Sequence, residues 1–146
     1  MRRLTFGVLL SLAPLAACAR PVTISPRGVS GGSDAAEAMV TAVIYGALES
    51  AAAGSNADSL YTSSAVMVVN GRTRSLAPLY AGISSGGQVS VTSSQLEIRN
   101  GISWSLVSYR WEMKDTVARE GQATFVLTQD GEGRWKIQHA HSSSPL

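Results

Sequence analysis

Gly121-Gln122-Ala123-Thr124-Phe125-Val126-Leu127-Thr128-Gln129, then Asp130-Gly131-Glu132-Gly133, then Arg134-Trp135-Lys136-Ile137-Gln138-His139-Ala140-His141-Ser142: this stretch decides the fold. Both flanks mix β-branched, aromatic and polar residues, and the residues between them are turn formers. The spacing predicts a β-hairpin. Working back toward the amino end, Val117 to Gln129, Ile102 to Lys114 and Gln88 to Arg99 share that character, separated by Asp115-Thr116 and Asn100-Gly101. With Arg134 to Ser142 they make a run of strands joined by short turns, which predicts an antiparallel meander. A shorter β-rich run, Ala65 to Val69, is closed by Asn70-Gly71, a strong tight-turn dipeptide. Ile102 to Met113 is apolar on both faces: Trp104 and Leu106 share one with Ser108 and Arg110, while Tyr109, Trp111 and Met113 share the other. A strand of that kind needs two covers.

One cover is legible further back. Ala36, Val40, Val43, Ile44, Ala47, Leu48 and Ala51 fall at helical spacing and form a single stripe. Asp34 with Glu37 fits a capping box, with Ser33 as the other candidate cap, and Gly54 is a natural stop. A short helical turn is expected around Ala57 to Tyr61, started by Asn56, and a third short helix over Ser75 to Ile83, limited by Pro78 and Gly82. The fold class is therefore α+β, with amino-terminal helices packed on a curved, mainly antiparallel sheet. A second copy of the chain is the expected cover for the sheet's other face.

The order of these elements, and the ending Trp135-Lys136-Ile137-Gln138-His139-Ala140-His141-Ser142-Ser143, resemble SnoaL-like domains of the nuclear-transport-factor-like, cystatin-like superfamily and the association domain of calmodulin-dependent kinase II. Those end in a tryptophan, an aliphatic two residues on, and two histidines spaced by one. The likeness runs from Asp34 to Ser144 by element order and over the last two strands by motif; Arg72 to Gly87 departs from it. It implies a cone with a pocket between helix and sheet, and dimers or rings packed through the sheet. Such domains include ketosteroid-isomerase-like, cyclase and dehydratase enzymes and also binding or assembly modules without chemistry, so the fold does not settle the function.

The amino end carries a different signal. Arg2 and Arg3 precede an uncharged apolar run from Leu4 to Ala17 that ends in Leu15-Ala16-Ala17-Cys18. This is the layout of a secretory leader, too short for a bilayer span, and its end resembles the lipobox of bacterial lipoproteins. The resemblance implies cleavage before Cys18 and lipid on that cysteine. Residues 1–17 are thus expected as a signal peptide, 18–33 as a lipidated tether rich in Pro and Gly, and 34–146 as one SnoaL-like domain. The expected location is the bacterial cell envelope, on the outer membrane or facing the periplasm. Cys18 is the sole cysteine, which excludes an internal disulfide and a cysteine-based metal site. Arg2 and Arg3 account for the whole excess of 12 basic over 10 acidic residues, so the chain beyond the leader is balanced and carries no nucleic-acid signature.

Candidate chemistry is sparse. His139 is a candidate acid/base, since imidazole titrates near neutrality, and Asp58 is its conceivable partner at a pocket mouth; the alternative is a pair of histidines that fix the sheet's end. His139 and His141 alternate with Trp135 and Ile137, which predicts one shared face. The histidines alone supply too few ligands for a metal. Arg110 either holds an anionic ligand with its fork of donors or pairs with Glu97, Glu112 or Glu120. Tyr61, Thr124 and His141 complete the candidate ligand contacts. The sequence has no phosphate-binding glycine loop, dinucleotide fingerprint or nucleophile elbow, so neither a cofactor nor a metal is expected. The expectation is a membrane-tethered module that binds a small apolar or anionic molecule or assembles as a homodimer or larger oligomer. The alternatives are a cofactor-free isomerase, cyclase or dehydratase, and an envelope assembly factor. Labelling cells with a lipid precursor should mark the wild-type chain and leave Cys18→Ala unmarked; equal labelling of both would exclude the anchor.

Overall fold

The computed structural model describes residues 34–74 and 80–144. Helix α1 spans Asp34–Ala53, and a single 3-10 turn follows at Asp58–Leu60. Six strands come next: β1 Tyr61–Val69, β2 Arg72–Arg74, β3 Gln88–Arg99, β4 Ile102–Glu112, β5 Arg119–Gln129 and β6 Trp135–Ser143. They form one mixed sheet in the order β2-β1-β6-β5-β4-β3. The expected α+β class and the antiparallel meander from β3 to β6 are both present. The parallel pairing of β1 with β6 joins β1 and β2 to this meander and brings the first and last strands side by side.

Local chemistry explains the joints. Asp34 and Glu37 lie in the first turn of α1, where the helix dipole favours negative charge. Gly54, at φ +68°, ends the helix: its N–H donates to Ala51 O and that of Ser55 donates to Ser50 O, a glycine cap that satisfies the last carbonyls. Asn56 Oδ1 accepts from Asp58 N–H at 2.7 Å and so starts the 3-10 turn, as its side chain predicts. Asn70-Gly71 and Asn100-Gly101 all have positive φ, the geometry that two-residue hairpins require. Asp130 shapes the β5–β6 loop by accepting from the backbone N–H groups of Glu132 and Arg134 while its other oxygen meets Arg134 Nε. Those bonds and the cation hold its carboxyl below the usual carboxylate range.

Two expectations change. The segment Tyr80 to Ile83 is a non-helical turn, because Gly82 takes φ +78° and the tyrosine hydroxyl and carbonyl groups around it bond sideways to the sheet; residues 75–79 of the expected third helix lie outside the described residues. The segment continues to Gly86, whose N–H donates to Ala52 O at the end of α1. The second change is in β6. Trp135 and Ile137 face inward as expected, but the β5–β6 register shifts between Val126 and Leu127, so Ala140 and Ser142 point inward and His139 and His141 turn to the opposite face. One extra residue at Gln138 is a β-bulge, which reverses the alternation that follows it.

The core lies between α1 and the inner face of the sheet. Val40, Ile44, Ala47, Leu48, Ala51 and Ala52 of the helix meet Val107, Tyr109, Trp111, Ala123, Phe125, Leu127, Ile137 and Ala140 of the sheet. Gly121 sits where the Tyr109 ring lies flat against β5, and a Cβ there would come within 2.6 Å of it. Gly121→Ala is therefore expected to destabilise the fold by about 1–3 kcal/mol, the usual cost of overpacking, read as a lower urea midpoint; an unchanged midpoint would show that the Tyr109 ring is free to move.

Candidate functional site

The inner face is held together by tyrosines. Tyr61, at the start of β1, and Tyr80 share a hydroxyl–hydroxyl hydrogen bond of 2.6 Å. The Tyr80 ring packs tilted on Phe125, with centroids 5.5 Å apart. Tyr109 donates to Ala81 O at 2.7 Å, and Ala81 N–H donates to Ser142 Oγ at 3.0 Å. Segment 80–87 is thus pinned over the end of the cone. Arg119 clamps it further along, stacking on Trp111 at 5.0 Å and donating to Ser84 Oγ. Gly87 belongs to the same contact, since any Cβ there would overlap the Trp111 indole. Between α1 and the β3–β4 hairpin the described residues leave a slot of about 20 Å³ beside Thr41, Leu96 and Ser105, room for about one water.

Burial fixes the protonation of this cluster. It pushes the Tyr61 phenol up to about 12, with the Tyr80 bond opposing the shift and Asp58 adding to it. It also raises Tyr80 well above the ordinary tyrosine value, with Tyr61 and Tyr109 contributing, and raises Tyr109. All three are neutral hydrogen-bonding groups at physiological pH.

The outer face is different. Its cross-strand rows follow from the register: Val66, His139, Val126 and Trp104 lie abreast, and next to them Val68, His141, Thr124 and Leu106. Ile102 extends the apolar surface beyond Trp104. Trp104 is 44% exposed, Ile102 52% and Val66 43%. Around this patch sit Glu97 paired with Arg99 at 2.5 Å on one side and Arg110 paired with Glu112 at 2.5 Å on another, with Glu120 at 3.8 Å from Arg110.

The predicted site residues divide between these surfaces. Thr124 and His141 are direct cross-strand partners on the outer face, with His139 one row away. Arg110 is on the same face, its guanidinium engaged by glutamates. Asp58 is exposed on the 3-10 turn, where Asn56 Nδ2 donates to its carboxylate at 3.0 Å. Tyr61 belongs to the inner cluster with Tyr80. Among the described residues no three His, Cys, Asp or Glu side chains converge as a metal site, and no helix is long and apolar enough to cross a membrane. Sequence reasoning missed Tyr80; its signal was an aromatic set in Leu79-Tyr80-Ala81-Gly82-Ile83, an apolar island between Pro78 and Gly87.

No protein-family model matches the chain, and no curated protein matches it by sequence. Solved structures do match by shape. A nuclear-transport-factor-like protein of unknown function from Pseudomonas putida superposes with a TM-score of 0.60 at 14% identity, over 80% of this chain and 91% of that one. A protein of Shewanella frigidimarina, provisionally described as a ketosteroid isomerase, gives 0.55 at 22% identity over 76% and 95%. The association domain of calmodulin-dependent kinase II from Caenorhabditis elegans gives 0.60 at 14% identity over 75% and 96%.

The tyrosine cluster makes a pH prediction. A phenol whose folded pKa lies above its unfolded value contributes stability that is intact below about 10 and is lost as pH rises toward and through the folded value. Absorbance titration at 295 nm should therefore show Tyr61, Tyr80 and Tyr109 ionising late and together with unfolding. Full ionisation near pH 10 with the fold retained would contradict the burial of the cluster. The chain has the nuclear-transport-factor-like, cystatin-like cone fold, with one helix packed on a six-stranded sheet.

Proposed function

We propose that the chain is a membrane-tethered interaction module that assembles through the outer face of its sheet, with a second copy as the partner. The observation that carries this reading is the apolar patch of Trp104, Ile102 and Val66, each more than two-fifths exposed on one continuous sheet face. Patches of this kind, ringed by polar residues, mark interaction surfaces. Trp104 is the natural anchor, since tryptophan dominates interface energetics. The rim carries both signs on each side, Glu97 with Arg99 and Arg110 with Glu112 and Glu120. A surface that offers both signs in two places can meet its own copy without like charges facing each other. The match to an association domain supports the same reading at the level of fold. The tether is the proposed lipid on Cys18, which would place the module in the cell envelope.

The second reading is a cofactor-free isomerase, cyclase or dehydratase, supported by the fold of the Shewanella protein. It needs a base within an apolar pocket. His139 lies on the outer face, away from the tyrosine-lined interior, and Asp58 is exposed on its turn, which favours the first reading.

Sedimentation velocity of the chain beyond Cys18, at micromolar concentration, separates the possibilities. The wild type should sediment as a dimer or larger, and Trp104→Asp as a folded monomer, with the inner core untouched. A wild-type monomer would remove the assembly reading.

A further inference from the structure

The outer face has a second region, distinct from the apolar patch. Ser93, Ser108, Gln122 and Ser143 form the next cross-strand row, one polar side chain from each of β3 to β6 and short at every position but Gln122. Larger side chains border it, Leu106 and His141 on one side and Arg110 and Glu120 on the other. The row is therefore a trough. It gains depth at both ends: β3 bulges at Thr92, between Val91 and Ser93, and β6 stops at Ser143, leaving Glu120 and Gly121 without a strand partner on their β6 side. Gly121 adds no side chain, because the Tyr109 ring fills its inner side. The resulting cavity measures about 330 Å³, at the lower end of the range for small-molecule sites.

Its chemistry is specific. The walls present hydroxyls from Thr92, Ser108 and Ser143 and the amide of Gln122, groups that both donate and accept. Among the described residues the hydroxyls of Thr92 and Ser143 make no hydrogen bond, and Gln122 Nε2 reaches Ser108 Oγ at a long 3.3 Å. Hydrogen-bonding capacity is left over for a ligand. The charged member is Glu120, a carboxylate that repels anions and can accept from a pair of adjacent hydroxyls on a ligand. Its nearest cation, Arg110, stands 3.8 Å off and is engaged more closely by Glu112.

We infer that this trough binds a neutral, hydroxyl-rich ligand, a saccharide of one or two rings. A neutral polyol matches alternating donors and acceptors without a charge to compensate, and the volume sets its size. Glu120 acts in it as an acceptor of paired hydroxyls, and Gln122 as the central donor.

The test is an amide-proton NMR titration of the chain beyond Cys18, which keeps every described element, with N,N′-diacetylchitobiose and maltose as probes and sodium acetate as the anionic control. The expected result is saturable shifts confined to the Ser108, Gly121, Gln122 and Ser143 region for at least one saccharide, with a Kd on the order of 1 mM, and none for acetate. Gln122→Ala and Glu120→Gln, both exposed and outside the core, should each weaken binding at least several-fold while leaving the remaining spectrum in place. The trough lies between Trp104 and the Arg110 rim, where stacked copies would cover it, so the deciding titration uses Trp104→Asp, which should bind saccharide at least as tightly as the wild type. Absence of saturable shifts with both sugars in Trp104→Asp, or equal shifts with acetate, would overturn the assignment, whatever the oligomeric state of the wild type.

Discussion

Strand β4 carries bulky side chains on both of its faces, and the rest of the molecule answers to that. Val107, Tyr109 and Trp111 point inward and are almost wholly buried, while Ile102, Trp104 and Leu106 point outward. The inward set demands a lid, which α1 and segment 80–87 supply through the aliphatic stripe of the helix and the Tyr109–Ala81 hydrogen bond. Each buried aromatic removes roughly 150–250 Å² of side chain from water, so this side dominates the stability of the domain. The polar atoms of the lid are tied to the sheet rather than left idle: the Tyr61–Tyr80 bond and the Ala81–Ser142 bond settle donors and acceptors that burial would otherwise leave costly by about 1–3 kcal/mol each.

Much of this was legible in the sequence because it depends on local rules. The stripe from Val40 to Ala51 has one solution as a helix, and Gly54 has one use as its stop. Asn70-Gly71 and Asn100-Gly101 name their own turns, and the strands on either side of the second begin and end within a residue or two of the places their composition predicts. What escaped depends on tertiary contact. Nothing local in Gln138 announces a bulge; the bulge fits the β6 register to β5 on one side and β1 on the other. Its effect is to separate the tryptophan–isoleucine half of the strand from the histidine half. The face of His139 and His141 was therefore beyond reach of a period-two argument, and with it the composition of both surfaces.

The bulge also decides which chemistry each surface can host. With His139 and His141 turned outward, the inner face keeps neutral phenols, whose ionisation burial opposes, and a lining of aliphatic and aromatic carbon. The outer face gains two imidazoles beside valines, a threonine and a tryptophan. Such a mixture suits a contact surface, where amphipathic side chains cover apolar neighbours and still satisfy their own polar atoms. Arg110 follows the same logic: Glu112 and Glu120 hold it at the rim, where exposed ion pairs contribute at most about 1 kcal/mol to stability but do discriminate between partners.

Magnitudes set how strong such a contact is. Taking the exposed parts of Trp104, Ile102 and Val66 out of water contributes roughly 1–3 kcal/mol each, and a two-fold arrangement uses each residue twice. Against this stands an association cost of about 4–15 kcal/mol in lost rigid-body freedom. Doubled in this way, the three residues contribute about 6–18 kcal/mol, a span that covers the association cost. Leu106, Val126 and Val68, in the same rows, add to it only if the two sheets stack across their full width. The proposed lipid anchor at the amino end would shift that balance further: copies held on one membrane surface would meet at a far higher effective concentration than in solution, so a contact of modest intrinsic affinity would be strengthened without any additional buried area.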